Sequence, residues 1–81
     1  MKTTKYFNFR SKKPDRENIK IEWIEFVLKS HIRRKVQNDG RIKMWAKIEE
    51  ASNKYLRVIT LDDGETVHNA FFDRGFEENE S

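Results

Sequence analysis

The chain has no cysteine. That excludes disulfide staples and thiolate zinc sites. It has no apolar run near the ~20 residues of a membrane span. Met1-Lys2-Thr3-Thr4-Lys5 leads into no apolar stretch of signal-peptide length. A soluble cytoplasmic protein is the expectation. Zinc-ligand spacing, a phosphate-cradling glycine loop and a nucleophile elbow are also missing. Neither a metal nor a cofactor is expected. Glycine and proline are scarce, three and one, so each marks a local event. Pro14 disfavours helix at Lys13, and the charged segment Ser11–Arg16 reads as a loop.

Charge is plentiful and unevenly placed. Residues 1–47 carry 14 Lys/Arg against 5 Asp/Glu, while residues 48–81 carry 3 against 9. A dipolar surface orients a charged partner better than a uniform coat does. The 81 residues allow one domain, and a domain this small buries only roughly 60% of its unfolded surface. Aromatics, 12% of the chain, bury the most area per residue.

Tyr6–Arg10 is aromatic between polar flanks and reads as a first strand. Ile21, Ile24, Val27, Leu28 and His31 recur at helical spacing, which predicts a helix over 21–31. Glu25 and Lys29 stand in the favourable i,i+4 order. His31 falls where a protonated imidazole suits the helix dipole and reads as a cap.

Asn38-Asp39-Gly40 and Asp62-Asp63-Gly64 are two hairpin turns. The first joins arms 33–37 and 41–49, and the second joins arms 55–61 and 65–73. A three-residue loop with Gly40 left-handed sets Val36 beside Ile42, both expected inward. Ile42, Met44, Ala46 and Ile48 alternate with Arg41, Lys43, Trp45 and Lys47, which predicts a half-buried strand with a basic outer face. Leu56, Val58, Ile59 and Leu61 occupy both faces, so their strand should be central. Gly75 allows a turn, after which Phe76 should pack back onto the core. The expected fold is α+β: one helix on a curled, mainly antiparallel sheet of about five strands, in the order β-α-β-β-β-β. Residues 1–76 form the domain, and residues 77–81 read as an acidic, disordered tail.

Asp39-Gly40-Arg41-Ile42 with Trp45, and the run from Tyr55 to Arg74 ending His68-Asn69-Ala70-Phe71-Phe72-Asp73-Arg74, resemble a family of small uncharacterised bacterial proteins with the same C-terminal hairpin. That resemblance implies no catalytic role. The order of elements is similar to that of the RelE, ParE and BrnT toxins. Those are small and basic, and many cleave RNA, so this similarity implies a ribonuclease-like role.

His68 is the candidate for proton transfer, because its ordinary pKa lies near neutrality. Arg74 and Arg57 are the candidates for steadying phosphate charge. The structural alternatives are a hydrogen-bonded sheet histidine for His68 and an ion pair of Arg57 with Glu49 or Asp73. Arg33, Arg34, Lys35, Arg41, Lys43 and Lys47, with Trp45 among them, form a candidate nucleic-acid face. Arg10, Lys12, Lys13 and Arg16 extend the basic set. Asp62 and Asp63 read as turn residues rather than metal ligands.

The expected function is binding of RNA or another polyanion, as a toxin-like ribonuclease. The alternative is a non-enzymatic interaction module that docks an acidic protein or self-associates, or an inhibitory member of a toxin–antitoxin pair.

Overall fold

The computed structural model describes residues 2–4 and 19–76. The expected strand at 6–10, the loop around Pro14 and the acidic segment 77–81 lie outside the described residues.

Five strands form one mixed, mostly antiparallel sheet: β1 (Lys2–Thr3), β2 (Arg33–Val36), β3 (Ile42–Ile48), β4 (Lys54–Thr60) and β5 (Thr66–Phe72). Their order across the sheet is β1-β5-β4-β3-β2. β1 runs parallel to β5, and the other neighbours are antiparallel. One helix, α1 (Ile21–Ser30), precedes β2. The α+β class and the order of elements match the expectation, and β4 is central.

α1 ends one residue before His31. The His31 ring nitrogen Nδ1 lies 3.1 Å from the Val27 carbonyl. A carbonyl only accepts, so Nδ1–H donates and satisfies one of the helix's orphan acceptors.

The core lies between α1 and one face of the sheet. Ile24 and Val27 of α1 meet Ile42, Met44, Ala46, Ile48, Leu56, Val58, Val67 and Ala70. Buried Thr60 donates its hydroxyl to the Leu61 carbonyl at 2.9 Å, so no polar atom is stranded there. Trp23 packs edge-on against Phe72, with ring centroids 6.1 Å apart.

Both turns form as expected. Gln37 N–H donates to Arg41 O at 2.7 Å, closing a three-residue loop. Gly40 has φ +91°, a region that favours glycine. Val36 does pair with Ile42. It does not point into the core, however, and remains 55% exposed. The helix packs on β3 and β4, so an edge-strand residue on its face falls beyond its footprint. At the second turn the Asp63 carboxylate accepts from Glu65 N–H, Thr66 N–H and the Thr66 hydroxyl, at 2.8, 2.9 and 2.6 Å. These bonds hold its pKa down at about 2. Asp63 is therefore a turn residue, as read from the sequence.

The β3–β4 connection holds a feature the sequence did not announce. After the 3-10 turn Glu49–Ala51, Ser52 and Asn53 are both left-handed, with φ 59° and 60°.

Candidate polyanion interface

Alternation along each strand sends one residue set to the helix and the other to the opposite face. The register decides what meets on that opposite face. Arg33 pairs with Trp45, Trp45 with Arg57, and Arg57 with Phe71. Cation and aromatic ring thus alternate across four strands. The Arg57 guanidinium lies 5.6 Å from the Trp45 ring centre and 4.8 Å from that of Phe71, within cation–π range.

Asp73 locks this row. Its Oδ2 accepts the Trp45 indole N–H at 2.9 Å and two Arg57 bonds at 3.1 and 2.6 Å. Partial burial would raise the Asp73 pKa. The bonds from Trp45 and Arg57 and the guanidinium charge outweigh it, and the net shift is downward. Of the two partners expected for Arg57, Asp73 is the one found.

Phe76 closes the row from above. Its ring stacks on Trp45 at 5.2 Å and 19°, contacts Tyr55 at 4.8 Å, and lies 5.0 Å from the Arg33 guanidinium. Phe76 does return, but onto Trp45 and Tyr55 on the face opposite the helix rather than onto the core cluster under α1. It also corrects the reading of Trp45, which is only 6% exposed. The indole is the floor under Phe76 rather than an open platform for a base.

An open groove of about 700 Å³ lies beside this row. Its cations are Arg33, Arg34, Lys35, Lys43 and Arg57, and its one carboxylate among the described residues is Asp73. Lys35 and Lys43 are paired directly across β2 and β3. Opposed side chains in such a pair start about 5 Å apart, and like charges there are destabilising. Among the described residues neither ammonium has an ion-pair partner.

Two expected members of the face do not line this groove. Arg41 sits beside the Asp39 carboxylate at 3.8 Å, at the end of the first turn. Lys47 lines a separate groove of about 440 Å³ with Trp23, Phe26, Glu49 and Glu50. Arg10, Lys12, Lys13 and Arg16 lie outside the described residues.

The candidate catalytic residues are spread over β4, β5 and the turn beyond β5. Thr60 pairs with Val67 and Ile59 with Asn69, so His68 is the extra residue of a β-bulge. Its Nδ1 lies 3.2 Å from the Thr4 hydroxyl. Burial and then the Arg41 charge push its pKa below 6.5, against the pull of Asp39. About 13 Å of strand separates His68 from Phe72, and Arg74 lies beyond it in the exposed turn. Arg57 pairs with Phe71, about 10 Å along from His68. The three do not converge on one point.

Phe76 is what the residue-by-residue reading missed as a site member, whereas Lys35 and Lys43 were expected on the face but not read as an opposed pair. The signal for the lysines was present, since the preferred loop fixes Lys35 opposite Lys43.

Among the described residues no group of three or more histidine, cysteine or acidic side chains is placed to hold a metal ion, and no helix is long and apolar enough to cross a membrane. No family model, curated protein or solved structure matches this chain.

Proposed function

We propose that this protein binds the phosphate backbone of a polyanion, RNA being the leading candidate, in the groove bounded by β2, β3 and Phe76. The observation that carries this reading is the Lys35–Lys43 pair. Folding holds two ammonium groups opposite each other with no acidic partner among the described residues, and an anion laid between them relieves the repulsion. Arg33 and Arg34 extend the positive edge along β2.

The reading is one of binding rather than cleavage. Asp73 is engaged by Arg57 and Trp45, and His68 sits on the bulge away from the groove. Recognition is by charge, since buried Trp45 offers no stacking face.

The test is fluorescence anisotropy with a labelled single-stranded oligonucleotide across a salt series. Affinity should fall steeply with salt. A Lys35→Glu, Lys43→Glu double variant should bind more weakly with a salt slope shallower by roughly 1.4, at about 0.7 for each phosphate left without its lysine. Equal affinity for both proteins overturns the proposal.

One observation favours a second reading. β2 is an edge strand, paired on one side only among the described residues, and three of its four residues are cationic. An acidic extended segment of another protein fits such an edge by strand addition. Salt-sensitive capture of an acidic peptide without oligonucleotide affinity selects this reading.

A further inference from the structure

The edge of β2 has a readable hydrogen-bonding pattern. Gln37 N–H donates to Arg41 O at 2.7 Å, and bonded pairs alternate with non-bonded ones along an antiparallel ladder. Lys35 therefore turns its backbone polar groups toward β3. Arg34 and Val36 turn theirs to the open edge, where no strand lies among the described residues.

The side chains alternate between faces as well. Arg34 and Val36 pair with the core residues Met44 and Ile42, so both lie on the helix side of the sheet. Lys35 pairs with Lys43 on the opposite face. Val36 is an exposed apolar side chain. Among the described residues Arg34, Lys35 and Lys43 have no ion-pair partner.

A second copy of the chain is a poor occupant of this edge. Pairing through the outward groups would set Lys35 against the same lysine of the copy, and like charges directly opposed are destabilising. Cations on an edge strand guard against such self-pairing. An acidic strand meets no such barrier.

We propose that β2 receives an antiparallel extended segment of another protein in which one apolar residue is followed by two acidic residues. The outward groups fix the register. The apolar residue lies beside Val36, the first acid opposite Lys35, and the second opposite Arg34. The residues beside Val36 and Arg34 exchange paired backbone bonds with them. This inference rests on the strand-addition reading of β2, and it does not require the groove to bind nucleic acid.

The test uses a capped peptide, Ser-Thr-Val-Glu-Asp-Thr-Ser, and its isomer with Glu-Val-Asp at the centre. Both are titrated at low salt into the full chain labelled with nitrogen-15, and amide exchange is followed residue by residue. The first peptide should slow exchange at Arg34 and Val36 and leave Lys35 unchanged, because the Lys35 amide already faces β3. The isomer has the same charge but misplaces two cross-strand pairs, and should bind about two- to thirtyfold more weakly. Val36→Pro removes one outward N–H, a change an edge strand tolerates. It should abolish peptide binding and preserve oligonucleotide affinity.

Peptide binding with no slowing at Arg34 and Val36 overturns strand addition and leaves an acidic segment held by charge alone. Equal affinity for the two peptides overturns the proposed pattern, as does undiminished peptide binding by Val36→Pro. Should that variant unfold, the exchange pattern of the wild type decides. Failure of both peptides to bind removes the inference together with the strand-addition reading, while oligonucleotide anisotropy judges the polyanion reading separately.

Discussion

Arg57 Nη2 stands 2.6 Å from Asp73 Oδ2, and the same oxygen takes the indole N–H of Trp45 at 2.9 Å. Both charged side chains are mostly shielded, 24% and 14% exposed. One carboxylate thus ties β4 and β3 to the turn that brings Phe76 back. Asp73 neutralises one of the groove's own cations, and it fixes the orientation of the groove's floor.

Replacing Asp73 by alanine leaves Arg57 and the Trp45 N–H without their acceptor. Removing one partner of a shielded pair is costly, and allowing for residual exposure the loss should be about 2–4 kcal/mol. Urea unfolding measures it. An unchanged midpoint would show that the ion pair contributes nothing to the fold. Arg57→Met should cost less, because it removes the charge that needs pairing and keeps an apolar stem over Trp45.

Lys35→Glu separates folding from function. It turns an opposed like-charge pair into an opposed ion pair, so stability should rise by about 0.2–1 kcal/mol. Oligonucleotide affinity should fall at the same time. Thermal unfolding and anisotropy on one sample check both directions. A variant that is less stable and binds as well as the wild type contradicts the role given to this pair.

His68→Ala should leave oligonucleotide affinity unchanged, because the bulge lies away from the groove. A large loss of affinity at constant stability would move the site toward β5. Expression of the same pair in a bacterial culture addresses toxicity directly. Growth arrest by the wild type that His68→Ala relieves at equal protein level would restore a catalytic role to the histidine.

Stability should fall with acid in two steps. His68 has its pKa lowered from 6.5 by burial, so the unfolded chain takes the proton first. Its contribution is complete above 6.5 and is lost as the pH falls through the lower folded value. Asp73 is also lowered, and Asp63 lies at about 2. Their contributions are present above the ordinary carboxylate value of about 3.9 and are lost as the pH falls below it. Urea midpoints from neutral pH downward trace both steps. His68→Gln should remove the upper one, and its persistence would assign that step to another group.

Ser52 is held left-handed without a glycine's freedom. Such a conformation costs an L-residue about 1–2 kcal/mol. Ser52→Gly should stabilise the protein by about 0.5 kcal/mol, once the greater entropy of glycine in the unfolded chain is subtracted. Chemical denaturation decides it, and a destabilised variant would show that the serine side chain matters more than the strain.

The sheet was legible because its signals were local. Two Asp-Gly turns and the alternation from Ile42 to Ile48 fixed four strands and the first hairpin's register, down to Val36 opposite Ile42. The same register left the burial of Val36 wrong, because burial depends on where α1 lands, a tertiary matter. The Ser52-Asn53 turn was hidden, since serine rarely signals a left-handed backbone. At the site, the basic strand face could be read from the alternation of lysine and arginine. The fate of Trp45 could not, because its cover comes from Phe76, 31 positions away. His68 and Arg74 looked close in sequence, but an extended strand turns closeness in sequence into distance in space.

The parallel pairing of β1 with β5 has a kinetic consequence. Lys2 meets Thr66, and Thr4 meets His68 across 64 positions, whereas β2 to β5 join through short turns. Closing so long a loop costs more entropy than closing a hairpin. β1 should therefore be the last strand to join during folding and the first to leave. Native-state hydrogen exchange gives the answer: the amide of Thr4, bonded to the Val67 carbonyl, should exchange through a local opening far cheaper than global unfolding. Protection equal to that of Val58, at the centre of β4, would instead show the N-terminal strand to be part of the folding unit.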